Sequence, residues 1–207
     1  MTLSAAYDFP SGVHVRKHGP QGYSDYSAMK HWLRDEFTFR CVFCLDRETF
    51  AADGYRRFAC EHYLPKSTRP DLRNDYDNLL YACNRCNWKK SELEVVSPEK
   101  LDFRTLLKCN EDGCFAAIAT EGQDLIDTLD LNHPERVDIR KTFITLFRLA
   151  ESSECPEQLR AAALRLRKYP DELPNLVRAR ESGNSRPTGK LNCYHAQRAA
   201  GMLPAFY

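Results

Sequence analysis

The stretch that decides this chain reads CVFC at residues 41–44, RRFACEHYLP at 56–65 and DNLLYACNRCNWKKS at 77–91. Two Cys-x-x-Cys pairs, Cys41/Cys44 and Cys83/Cys86, enclose a Glu61-His62 pair, and Asn78 and Asn87 follow. A Cys-x-x-Cys turn presents two thiolates to one soft ion, and two such turns complete a tetrahedral shell suited to Zn2+. Four protein ligands leave no position for water or substrate, so this ion is expected to be structural. The alternatives are buried free thiols or a redox pair, but a thioredoxin-like pair needs a βαβ setting that the sequence lacks. Cys109 and Cys114 have no second pair to complete a shell and are expected as cross-strand residues of a hairpin. Cys60 sits in an apolar run as a core thiol.

Outward from that stretch, the composition is that of a globular protein. The chain has 207 residues, 43% of them apolar and 29% charged, with a formal net charge of +1. Near-zero charge argues against nucleic-acid binding through bulk charge and leaves room for a local basic patch. No apolar run approaches the roughly 18 residues that span a bilayer. The N-terminus lacks the basic and apolar segments of a secretory signal. A cytoplasmic protein with no membrane partner is expected, and its nine cysteines then favour metal ligation over disulfides.

Four segments are expected. Residues 1–23 form an extended arm. Residues 24–97 hold the core and a leading helix, capped by Ser24, with Tyr26, Met29, Trp32, Leu33 and Phe37 on one face. Asp53-Gly54 predicts a hairpin turn, RRFACEH a strand ending in the polar pair, NLLYAC a second short strand or turn, and 84–92 a helix. Residues 98–181 are expected as a hairpin near 103–119, a short helix capped by Thr120, a helix over 135–151, another after Pro156, and a last piece reaching Arg180. Residues 182–207 read as a linker and a tail that is either docked or mobile. The basic excess from Arg160 to Lys190 is either a DNA-tracking surface or a set of solvated helix faces.

Over residues 40–92 these elements resemble the HNH endonuclease family, whose core is a ββα-metal fold. The carriers are the zinc pairs, Glu61-His62, Leu64-Pro65-Lys66-Ser67, Asp77-Asn78-Leu79, and Cys86-Asn87 with Lys89, Lys90 and Ser91. The fold class implied is α+β, an HNH core with a structural zinc and a mostly helical C-terminal region. The family more often has Asp at position 61 and often His at position 87. The resemblance implies His62 as general base, Glu61 and Asn87 as oxygen ligands of a catalytic Mg2+ or Mn2+, and Asn78 as the residue that fixes the loop. Adjacent strand residues point to opposite faces, so Glu61 and His62 share a site only if the strand ends there. Lys66, Arg69, Arg73, Lys89 and Lys90 are candidate phosphate contacts, with a solvated face as the alternative.

The implied function is metal-dependent cleavage of DNA. The order of elements after residue 98 also resembles the tail of bacterial phage-defence HNH proteins. A single site cuts one strand, so a homodimer or a partner protein such as an ATPase completes the picture. The alternative is a zinc-stabilised nucleic-acid-binding or partner-recruiting module without catalysis.

Overall fold

A computed structural model describes residues 3–207. The elements run in the order β1 (Pro20–Gln21), α1 (Lys30–Glu36), β2 (Phe58–His62), β3 (Leu79–Cys83), α2 (Asn84–Lys90), α3 (Phe103–Leu106), β4 (Leu107–Cys109) and β5 (Phe115–Ala117). They continue with α4 (Thr120–Thr128), α5 (Pro134–Glu151), α6 (Glu157–Arg167), β6 (Gly183–Asn184), α7 (Thr188–Leu191) and α8 (Tyr194–Ala199). The class is α+β as expected: three small antiparallel sheets, β1 with β6, β2 with β3 and β4 with β5, among short helices. Among the described residues no helix is long and apolar enough to cross a membrane.

The centre is the ββα unit β2-β3-α2. Every residue of β3 is buried, so the strand is covered on both faces. That makes it the partner of β2, in the register Phe58↔Cys83, Glu61↔Leu80 and His62↔Leu79. The hairpin expected at Asp53-Gly54 therefore does not form; two 3-10 turns, Glu48–Phe50 and Gly54–Arg57, carry the chain into β2 instead. Helix α1 packs its Trp32 and Leu33 inward. Asp25, not Ser24, caps its entry: a carboxylate oxygen accepts from the Ser27 amide at 2.9 Å, and a 3-10 turn over Tyr26–Met29 leads into the helix.

Beyond the core, the hairpin is shorter than expected. Asp102 caps Phe103–Leu106 as a helical turn, leaving only residues 107–109 and 115–117 as strands. Cys109 pairs with Phe115, so Cys114 is beside it and not opposite. Ala119 takes the cap position of α4, with Thr120 inside the helix. The helices expected over 135–151 and after Pro156 are α5 and α6. Phe143 of α5 stacks on Phe50 at 4.4 Å, joining this region to the core. The piece expected to reach Arg180 is only the turn Leu176–Arg178, since Pro174 and the preceding Pro170 deny the backbone donors a longer helix needs.

From residue 3 onward the expected arm packs on the core, and so does the tail. Leu3, Ala6, Tyr7 and Phe9 of the expected arm are buried. The expected linker pairs as β6 with β1, and the tail docks: Tyr207 is buried, stacked on Tyr169 at 4.6 Å and lying 4.2 Å under the Arg47 guanidinium. The basic residues between 160 and 190 divide: Arg165, Lys168, Arg178 and Arg180 are exposed, and others are held by the structure. Arg167 is buried, Arg186 pairs with Asp77 at 2.8 Å and Lys190 pairs with Glu181 at 2.8 Å.

Candidate active site and metal centre

The four cysteines converge. The Sγ atoms of Cys41, Cys44, Cys83 and Cys86 all lie within 4.8 Å of one another, and all four residues are buried. Cys44 and Cys83 are 3.7 Å apart, far beyond a disulfide bond. With Zn–S near 2.3 Å, the edge of a tetrahedron is about 3.8 Å, so this spacing is that of ligands around one zinc. The donor set and its closure fit a structural Zn2+. The turn at 41–44 is tied to β3 by the Val42 amide on the Tyr81 carbonyl at 3.0 Å. The Cys86 pair opens α2, with the Cys83 sulfur accepting from the Cys86 amide at 3.5 Å. One brace thus fixes the end of β3 and the start of α2. The Arg136 guanidinium, from α5, donates to the Cys86 sulfur at 3.6 Å and lies 3.5 Å from Asp46, which compensates part of the thiolate charge.

Strand β2 ends at His62, which resolves how two adjacent residues serve one place. Glu61, His62 and Asn87 line a single cavity of about 540 Å3, together with Tyr26, Lys30 and Lys66. His62 donates from Nε2 to the Arg73 carbonyl at 2.9 Å. A carbonyl only accepts, so Nε2 carries the proton and Nδ1 is left with the lone pair. Burial lowers the pKa of His62, and the positive charges of Lys66, Lys90 and Arg73 lower it further. The imidazole is held neutral, as a base must be. The Tyr26 ring meets it edge-on at 4.6 Å.

Asn78 staples the loop that follows. Its Oδ1 accepts from the Leu64 amide at 2.9 Å, and its Nδ2 donates to the Leu64 carbonyl at 3.0 Å and the Leu72 carbonyl at 3.4 Å.

The comparisons with known proteins agree with this geometry. Residues 41–93 match the HNH endonuclease family. The chain carries an HNH endonuclease domain. It is also 30% identical over 128 residues to the Septu protein PtuB of Bacillus thuringiensis, a match covering 56% of this chain and 48% of that protein. The chain therefore matches about half the length of this relative. No solved structure matches it significantly.

In the HNH domain, Glu61 and Asn87 offer a carboxylate and an amide oxygen, hard donors suited to Mg2+ or Mn2+. Burial pushes the Glu61 carboxyl up to about 6, against the pull of Lys90 and Lys66. A buried anion of this kind is a place where a cation is favoured. Lys90 already supplies one: its fully buried Nζ is 2.9 Å from Glu61 Oε1 and donates to the His62 carbonyl at 2.7 Å. The expectation that Lys90 contacts phosphate is thus corrected, because α2 turns it inward. Lys89 pairs with Asp130 at 2.9 Å, and Arg69 with Asp71 at 2.7 Å. Lys66 lines the cavity and, like Arg73, stands over the Tyr26 ring, at 5.5 and 5.8 Å. These two are the candidates placed to meet a phosphate.

Sequence reasoning missed Tyr26, Lys30 and Arg136. Tyr26 was read as one apolar position of a helix stripe. Arg136 lies 50 residues from Cys86, and no local pattern marks it.

Proposed function

We propose that this protein is a divalent-metal-dependent endonuclease that hydrolyses DNA phosphodiester bonds, with His62 as general base. The observation that carries this reading is the tautomer of His62: its Nε2 proton is committed to Arg73, in a side chain lining the cavity shared with Glu61 and Asn87. Nδ1 takes a proton from water as the water oxygen bonds to phosphorus and the P–O3′ bond breaks. Glu61 and Asn87 would hold the Mg2+ or Mn2+, which would neutralise phosphate charge and support the leaving oxygen. Lys66 and Arg73 orient the phosphate backbone, and Asn78 keeps the loop in place. The zinc brace takes no part in the chemistry.

The similarity to the Septu protein PtuB supports the wider reading of a phage-defence effector that works with a partner protein such as an ATPase, or as a homodimer. One observation favours the second reading, a binding module without catalysis: Lys90 occupies the Glu61 oxygen that an incoming ion would share. Plasmid nicking in Mg2+ or Mn2+ separates the two. Wild-type protein should nick and His62→Ala should not, with zinc content unchanged. Nicking that survives in His62→Ala would refute the assignment of the base.

A further inference from the structure

Helix α2 supplies Asn87 to the cavity and, one residue on, presents Trp88 to solvent. Trp88 is 72% exposed, whereas the other tryptophan, Trp32, is 1% exposed and donates to the Tyr23 hydroxyl. A single exposed apolar side chain is ordinary on a protein surface; what sets this one apart is an indole directly after a residue that lines the cavity. Its position is defined by the helix. Trp88 lies about 100° round the helix from Asn87. Asn87, and Ser91 and Glu92 just past the helix end, line the cavity, so this end of α2 forms part of its rim; Trp88 follows Asn87 there without itself lining the cavity.

The rim is mostly cationic. Lys89 Nζ is 5.4 Å from the indole centroid. One turn earlier, the Asn84 amide donates to the Arg56 carbonyl at 3.4 Å, which brings the exposed Arg56 and Arg57 beside the outer face of α2. Lys30 and Lys66 line the cavity itself. The acidic groups nearby are Glu61, paired with Lys90, Glu92, and Asp130, the last shared by Arg85 and Lys89. An open π face bordered by cations, next to a cavity built for a phosphodiester, matches a nucleobase attached to the phosphate backbone. A base inside a duplex has both faces covered by its neighbours; only an unpaired base has a face to give.

We propose that Trp88 is a stacking platform for an unpaired nucleobase beside the scissile phosphate, so that the site takes single-stranded or locally unpaired nucleic acid in preference to intact duplex. This deepens the nuclease reading and rests on it. Duplex regions still bind through the cationic rim, without the indole.

The test measures binding by the full-length, zinc-loaded protein, without added divalent ion, of a fluorescein-labelled single-stranded oligonucleotide and of the same sequence in a blunt duplex. The wild type should prefer the single strand. Trp88→Ala should weaken single-strand binding roughly 5- to 150-fold, the range of one base–aromatic stack. Trp88→Phe should restore most of it, and duplex affinity should hardly move. Equal losses on both probes, no loss on either, or no measurable single-strand binding by the wild type would overturn the inference. So would a co-purifying protein that shields Trp88 from acrylamide quenching, because the indole then serves a protein interface. The two readings fail separately: intact nicking by His62→Ala removes the base assignment while leaving the stacking result, and unchanged binding by Trp88→Ala removes the platform while leaving nicking untouched.

Discussion

Asn78→Ala should both loosen the fold and slow the reaction. The Asn78 side chain is 4% exposed and satisfies both backbone groups of Leu64, at 2.9 and 3.0 Å, with a weaker bond to Leu72 at 3.4 Å. Alanine removes the two short bonds and leaves a backbone donor and acceptor unmet. At about 1–2 kcal/mol for each, the expected loss is about 2–4 kcal/mol in urea unfolding, with zinc content unchanged. Leu64 lies two residues after His62, so the same change lets the base drift. A displacement near 1 Å costs roughly 100-fold in rate. Asn78→Asp sharpens the test. It keeps the acceptor for the Leu64 amide but sets an oxygen against the Leu64 carbonyl, where only a donor is satisfied. It should therefore rescue neither stability nor nicking. Faster hydrogen exchange at the Leu64 amide in Asn78→Ala would locate the effect. A stability loss below about 0.5 kcal/mol, or an Asp variant as active as wild type, would refute the staple.

Elemental analysis should find about one zinc per chain, and Cys83→Ser should lose the metal together with cooperative unfolding. A metal-free wild type that still unfolds cooperatively would contradict the brace. The low pKa of His62 places the acid limb of the nicking rate below the ordinary value of 6.5. Because the folded state disfavours the charged ring, its contribution to stability is full above 6.5 and fades as pH falls through the lowered value. An NMR titration of His62 checks both, and a pKa at or above 6.5 would be wrong for this site. Lys90→Met should cost the zinc-loaded protein, without added Mg2+ or Mn2+, about 3–5 kcal/mol by leaving the buried Glu61 carboxylate alone, with partial recovery in Mn2+. A thermal shift that ignores the ion would show that Glu61 does not bind it.

Much of the site was legible because residue type and spacing specify it. The cysteines, Glu61-His62 and Asn87 announce themselves by chemistry, and β3 by its apolar run. Lys90 shows a signal that was present and overlooked. It is four residues after Cys86, on the same helical face, and Cys86 must point into the brace; the 3.6-residue period therefore turned Lys90 inward. The Asp53-Gly54 hairpin failed for a different reason. A turn signal is local, but β2 takes its ladder partners from β3, a strand buried along its whole length. Arg136 and Tyr26 were invisible because tertiary packing alone brings them to Cys86 and His62.

The pairing of Arg186 with Asp77, beside the β1–β6 contact, has a consequence for when the cavity is completed. Asp77 is the neighbour of Asn78, and Arg186 also donates to the His18 carbonyl at 2.9 Å. The loop that aims His62 is thus tied to a segment synthesised more than 100 residues later. Closing so long a loop is slow and has to wait for its second end. A chain growing on the ribosome can assemble its zinc knuckle early, while the loop that holds Asn78 stays untied until Arg186 has emerged. The order of synthesis thus separates the folding of the brace from the completion of the cavity beside it.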